Sequence, residues 1–96
     1  ENLNEITIPY GMINIGDGAF EECKSLREVS IPDNVASIGD YAFWNCQSLN
    51  QITVWSNVTS IGYSAFDGCK NLTIRAFKGS YAKRYALENE IPFEEI

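Results

Sequence analysis

Hydrophobic residues return along this chain at a fixed interval of 23 residues. A leucine, an isoleucine-glycine pair, an alanine-phenylalanine pair and a cysteine all recur at that interval. The leucine column consists of Leu3, Leu26, Leu49 and Leu72. A repeat of this length is typical of solenoids, in which each coil covers the apolar face of its neighbour. The pattern predicts a single domain over residues 1–96, with coils at about 3–25, 26–48 and 49–71.

Each coil contains one short segment in which polar and apolar residues alternate. These segments are 5–8, 28–31 and 51–54. Alternation with β-branched residues is typical of a strand with one buried face. Stacked coils therefore predict a three-stranded parallel sheet, with Ile6 and Ile8 of the first strand pointing inward and Glu5 and Thr7 outward.

The isoleucine-glycine step predicts a corner in each coil. Glycine at this position provides either a positive φ angle or a close approach between coils. Asp17 and Asp40 follow the glycine in the first two coils, where they are suited to cap a short helical turn. We therefore expect short helical turns at 18–22, 41–45 and 64–68, on the side opposite the sheet.

The repeat pattern breaks after Leu72, and residues 72–96 are predicted to form a C-terminal cap. Ser80 is a suitable N-cap, and apolar residues at positions 81, 82, 85 and 86 form a helical stripe. Pro92 ends any helix. The chain opens directly in a repeat, so we expect further repeats or other modules to precede it and to cover the edge of the first strand.

Charge and composition exclude several functions. The net charge of -6 argues against nucleic-acid binding, which needs clustered basic residues. No apolar run approaches the roughly 20 residues that span a membrane, so no membrane insertion is expected. The chain has 0 histidines, which removes Ser-His-Asp and Cys-His catalysis. The sequence therefore predicts a protein that is not an enzyme and that needs no cofactor.

The acidic pairs and the cysteines also have structural explanations. Carboxylates adjacent in sequence, Glu21-Glu22 and Glu94-Glu95, rarely converge on one substrate bond and are expected at the solvated surface. The cysteines Cys23, Cys46 and Cys69 are too widely spaced for a typical zinc site, so no metal is predicted. Their uniform column favours buried thiols over a disulfide.

The outward positions of the predicted sheet are the candidate partner-binding residues. They are Glu5, Thr7, Glu28, Ser30, Gln51, Thr53 and Trp55. Trp55 either stacks on a sugar or anchors a protein contact, or else it packs over the neighbouring coil or the cap. Three short strands offer a face on the order of 200 Å². A stable protein interface takes about 800 Å² per partner, so a short glycan or peptide fits this face better.

The repeat unit resembles a known family. Residues 31–49 read Ile-Pro-Asp-Asn-Val-Ala-Ser-Ile-Gly-Asp-Tyr-Ala-Phe-Trp-Asn-Cys-Gln-Ser-Leu, which is similar to the BspA-like leucine-rich repeat of bacterial surface proteins. The tail from Gly79 to Phe93 resembles the segment that often closes such arrays. The resemblance implies an α/β solenoid with its strands on the concave face, and an extracellular or bacterial cell-surface location. It supplies no catalytic residues, and some members are adhesins that bind host matrix proteins.

These observations predict a non-catalytic module that binds an unidentified protein or glycan. Two other functions fit the same sequence. The first is a capped structural spacer within a multimodular extracellular protein. The second is an accessory domain of an extracellular enzyme, which would differ only in what is fused upstream.

Overall fold

The computed structural model describes residues 4–96 as a parallel β-solenoid with one short helix near the C-terminus. Leu3, the first member of the leucine column, lies outside the described residues. In chain order the elements are β1 (Glu5–Thr7), β2 (Asn14–Ile15), β3 (Glu28–Ser30), β4 (Ser37–Ile38), β5 (Gln51–Thr53), β6 (Ser60–Ile61), β7 (Thr73–Ala76), α1 (Tyr81–Glu88) and β8 (Phe93–Glu95).

The strands form two parallel sheets. The first has the order β1-β3-β5-β7-β8, and the second has the order β2-β4-β6. In the first sheet Glu5 pairs with Glu28 and Glu28 with Gln51, which is the 23-residue period of the sequence. The predicted parallel sheet is confirmed, but three strands were too few because the sheet has five. The second sheet runs along the isoleucine-glycine corners, which the sequence predicted as corners only.

Strand β7 begins a further turn of the solenoid inside the segment predicted as a cap. Gln51 pairs with Thr73, so this turn is one residue shorter than the 23-residue period. The shortening moves the first inward residue, Ile74, to two places after Leu72. The alternation of polar and apolar residues is therefore still present in this coil, but it begins one position earlier than in the other coils. In the sequence, this shift looks like the end of the repeat.

The core is a set of columns that run along the solenoid axis. Inward residues of the strands are buried, and the phenylalanines stack from coil to coil. The ring centroids of Phe20 and Phe43 are 5.3 Å apart, and those of Phe43 and Phe66 are 5.4 Å apart. Tyr85 of α1 continues the column, with its ring edge-on to Phe66 at 6.2 Å. The helix therefore ends the core by supplying the next aromatic ring.

The segments predicted as helical turns are hydrogen-bonded turns, not helices. Some of their amides bond within the coil, as from Ala19 to the carbonyl of Gly16. Alternate amides donate instead to the next coil. Gly18, Phe20 and Glu22 donate in this way to Asp40, Ala42 and Trp44, at 2.8, 2.8 and 2.7 Å. These turns therefore form a second hydrogen-bonded ladder between coils.

The aspartates at the corners also connect coils and do not cap helices. Asp17 Oδ1 accepts a hydrogen bond from the backbone N–H of Asp40 at 2.9 Å, and Asp40 Oδ1 accepts one from Tyr63 at 2.8 Å. The corner glycines allow this contact, because a Cβ on Gly39 would lie 2.7 Å from the backbone nitrogen of Asp17. Of the two predicted reasons for these glycines, the close approach between coils is confirmed at Gly39 and Gly62, and the φ angles of Gly16, Gly39 and Gly62 are not positive.

The C-terminal helix forms where the sequence predicts it. Ser80 is the N-cap, and its hydroxyl accepts a hydrogen bond from the backbone N–H of Lys83 at 3.1 Å. Ala82 and Ala86 are buried on the inner face of α1. Strand β8 then returns to pair with β7. Within residues 4–96, no helix is both long enough and apolar enough to cross a membrane.

Candidate functional site

The exposed side of the five-stranded sheet, which we call the sheet face, is the first candidate site. Six of the seven predicted residues lie on β1, β3 and β5 with their side chains outward: Glu5, Thr7, Glu28, Ser30, Gln51 and Thr53. The first five are exposed and Thr53 is half-buried. The parallel register aligns them in rows, so that Glu5 and Glu28 are neighbours across strands about 4.8 Å apart.

A shallow depression of about 300 Å³ lies at the start of these strands. Its lining is polar and consists of Asn4, Glu5, Arg27, Glu28 and Asn50. Like charges directly opposite one another in a sheet repel, and Arg27 adds a positive charge beside the two carboxylates. The depression therefore presents carboxylate acceptors, amides and one guanidinium, with no apolar floor.

Sequence analysis missed three residues that extend the sheet face. Thr73 and Arg75 of β7 continue the rows of β5, and Glu94 of β8 lies beside Arg75. Arg75 Nε and Glu94 Oε1 are 3.2 Å apart in an exposed ion pair, which contributes about 0–1 kcal/mol to stability. The polar and apolar residues of Thr73-Ile74-Arg75-Ala76 alternate as in the other strands, one position earlier than the 23-residue period predicts. This alternation was the sequence signal for β7.

Trp55 does not lie on the sheet face as a free ring. It is half-buried, and its Nε1 donates a hydrogen bond to the carbonyl of Ile31 in the preceding coil at 2.6 Å. Its ring centroid is 5.8 Å from that of Phe77 in the C-terminal segment. Trp55 therefore packs over the neighbouring coil and against the cap, which is the structural alternative that the sequence left open.

The sheet face is larger than predicted but still small. Five strands of about three residues give an area on the order of 240 Å². This is below the roughly 800 Å² that each partner contributes to a stable protein interface. A protein partner must therefore also contact surface beyond the sheet, whereas a short peptide or glycan fits the face itself.

The three cysteines are free thiols. The thiols of Cys46 and Cys69 donate to the carbonyls of Phe20 and Phe43 in the preceding coil, each at 3.1 Å. Burial raises the pKa of Cys46 to about 11 and that of Cys69 to about 12. Both groups are therefore protonated at neutral pH, where they connect coils and are poor nucleophiles and poor metal ligands.

The raised thiol pKa values predict a loss of stability in alkali. The ordinary pKa is 9.0, so the unfolded chain loses these protons before the folded chain does. The stabilisation from the two thiols is complete below pH 9 and is lost as the pH rises through about 11 for Cys46 and about 12 for Cys69. Urea denaturation measures the free energy of unfolding at these pH values. Its decrease with rising pH should be smaller for the Cys46→Ala/Cys69→Ala variant than for the original chain. Equal losses in the two chains would show that the thiols play no part.

Both acidic pairs lie at the surface, as the sequence predicts. Glu21 and Glu22 are exposed on the first turn. Glu94 and Glu95 pair with Arg75 and Lys83, each at 3.2 Å. Among residues 4–96, no three or more cysteine, aspartate or glutamate side chains are grouped so that they could hold a metal ion.

Comparison with protein families gives a match over the whole chain. A family model described as the BspA type leucine rich repeat region matches residues 1–96, in 6 copies. No curated protein and no solved structure matches the chain. The match includes both sheets and the C-terminal helix.

Proposed function

The chain belongs to the BspA-type leucine-rich repeat family, and we propose that it is a non-catalytic interaction module of a bacterial cell-surface or secreted protein. Its partner is a protein or a glycan, in a setting such as adhesion to a host or to matrix. The sheet face supplies the contacts. The observation that carries this proposal is the exposure of Glu5, Thr7, Glu28, Ser30 and Gln51 in aligned rows.

The chemistry of the sheet face favours a partner with hydrogen-bond donors or positive charge. Carboxylates of Glu5 and Glu28 lie next to the amide of Gln51 on the open side of the sheet. The whole chain carries a net charge of -6, which would speed the encounter with a basic partner. Salt is therefore expected to slow association more than it speeds dissociation.

Charge reversal on the sheet face tests the proposal. A screen of extracellular-matrix proteins and glycans identifies a partner, and the variant Glu28→Lys is then compared with the original chain. The matched control is Glu21→Lys, which makes the same charge change on an exposed turn away from the sheet. We expect Glu28→Lys to weaken binding by about tenfold or more, equivalent to at least 1.4 kcal/mol, with Glu21→Lys unchanged.

Trp55→Ala is not a suitable test variant, because the loss of its hydrogen bond and ring packing would also destabilise the coils. Equal effects of Glu28→Lys and Glu21→Lys would contradict a contact at the sheet face. Failure of every candidate to bind would favour the structural spacer instead.

A further inference from the structure

A second pocket lies where the stack of coils meets the C-terminal helix, away from the sheet face. Its volume is about 330 Å³, at the lower end of the roughly 300–1,000 Å³ of small-molecule sites. Residues 61–64 and Asp67 of the last turn form one wall, and Tyr81, Tyr85 and Asn89 of the helix and its C-cap form the other. The pocket therefore lies between a turn of the repeat and the element that ends the repeat.

The turn beneath this pocket has backbone amides without acceptors. In the first two coils, alternate amides of the turn donate to carbonyls of the next coil, as the amide of Tyr41 does to the carbonyl of Tyr63. The corresponding amides of the last turn belong to Ser64, Phe66 and Gly68. Residues 4–96 provide no hydrogen-bond acceptor for these three, because α1 occupies the place of the next coil. Ser64 is part of the pocket lining, and its amide is the one of the three that lies in a lining residue.

The side chains of the pocket offer both donors and acceptors. The hydroxyl of Tyr81 accepts from the backbone N–H of Ile61 at 3.4 Å, which leaves its own proton free to donate. Asp67 accepts from the hydroxyl of Ser64 at 2.7 Å through one carboxylate oxygen, which leaves the other as an acceptor. A bound molecule therefore meets hydrogen-bonding groups of both kinds at short range.

Tyr63 provides an exposed aromatic surface at the mouth of the pocket. Its side chain is 72% exposed. The ring is held on one side by Tyr41, which lies edge-on at a centroid distance of 5.8 Å and in turn contacts Trp44 at 6.3 Å. An exposed tyrosine whose ring is positioned by a neighbouring ring is suited to stack on the apolar face of a sugar. Its hydroxyl then contacts the polar groups of the same sugar.

We propose that this pocket binds one ring of an uncharged sugar, with Tyr63 as the stacking surface. Sugar hydroxyls both donate and accept, so they satisfy the carboxylate of Asp67 and the amide of Ser64 together. The exposed ring of Tyr41 and the half-buried ring of Trp44 continue the surface beyond the pocket. The next ring of an oligosaccharide would contact them, so a longer glycan binds more tightly than a single sugar.

Two other ligand classes fit the pocket less well. An anion would meet Asp67 in a lining that contains no lysine or arginine. A quaternary ammonium ion would use the tyrosine rings but would leave the Ser64 amide without an acceptor. One ring is also already engaged, because the guanidinium of Arg84 lies 5.9 Å from the centroid of Tyr81.

An NMR titration of the complete chain tests the proposal. Glucose, galactose, mannose, N-acetylglucosamine and their short oligomers are the probes, and choline and acetate represent the other two classes. We expect sugars to shift the amide signals of Ser64 and Asn89. Tyr63→Ala should weaken binding about tenfold, whereas Tyr63→Phe should keep most of it because the stacking ring remains.

The matched control is Tyr10→Ala, since Tyr10 is 69% exposed but lies in the first coil. It should bind sugars like the original chain. Signals of β1, β3 and β5 that stay unchanged on addition of the sugars separate this site from the sheet face. The proposal is overturned if no sugar shifts these signals at millimolar concentration, if Tyr63→Ala binds unchanged, or if only choline or acetate binds.

Discussion

Substitution of Gly39 or Gly62 by alanine should destabilise the protein severely. A Cβ on Gly39 would lie 2.7 Å from the backbone nitrogen of Asp17 and 2.9 Å from the carbonyl carbon of Gly16. On Gly62 it would lie 2.7 Å from the carbonyl carbon of Gly39. These neighbours are backbone atoms, so only separation of the coils relieves the contact. We expect a loss of about 3 kcal/mol in the free energy of unfolding, measured by urea denaturation, which is the upper end of the usual cost of overpacking.

Gly16 provides the matched control at the same position of the first coil. Among residues 4–96, a Cβ there meets no atom within 4 Å other than those of its chain neighbours, so Gly16→Ala should change the free energy of unfolding little. The total stability of a chain of this length is about 5–15 kcal/mol, so the difference between the variants is readily measured. Equal losses for Gly16→Ala and Gly39→Ala would contradict the role of close coil contact.

Truncation of the central phenylalanine should have an effect of similar size. Phe43 is 0% exposed and lies between two parallel rings, at 5.3 Å from Phe20 and 5.4 Å from Phe66. Phe43→Ala leaves a cavity in the middle of the column, and such changes cost about 3–5 kcal/mol. Thermal or urea unfolding of this variant measures the loss directly.

Phe20→Ala is the control for this prediction. Phe20 is only half-buried and, among residues 4–96, has one ring neighbour in the stack, so its truncation removes fewer contacts. The loss should be clearly smaller than for Phe43→Ala. If the two losses were equal, the continuous aromatic column would not be what holds the coils together.

The 23-residue period made most of the fold predictable from the sequence. Alternation in each coil gave the parallel strands and the side to which each residue points, because burial imposes a period of two on a strand. Ser80 as an N-cap and the apolar stripe that follows it predicted helix α1. The corner glycines predicted either a positive φ angle or a close approach of coils, and the Cβ contacts at Gly39 and Gly62 show that the close approach is the reason there.

The remaining features of the fold could not be predicted from short sequence patterns. Strands β2, β4 and β6 are only two residues long, too short for alternation to be recognised. Strand β7 was hidden by one missing residue in the period. The orientation of Trp55 depends on Ile31 and Phe77, 24 residues before it and 22 residues after it.

The two candidate sites also differ in how far the sequence predicts them. The sheet face follows from periodicity, so six of its residues could be identified in advance. The pocket beside α1 combines residues 61–67 with residues 81–89, and it exists only because the helix replaces a coil. No spacing within either segment indicates it.

The measurement that tests the central claim most directly is an amide chemical-shift map of the chain with the partner that the binding screen identifies. If the sheet face is the contact surface, the signals of β1, β3 and β5 should change together, in the rows that contain Glu5, Glu28 and Gln51. Changes confined to the turns around Glu21 and Trp44, with none in these strands, would contradict the claim.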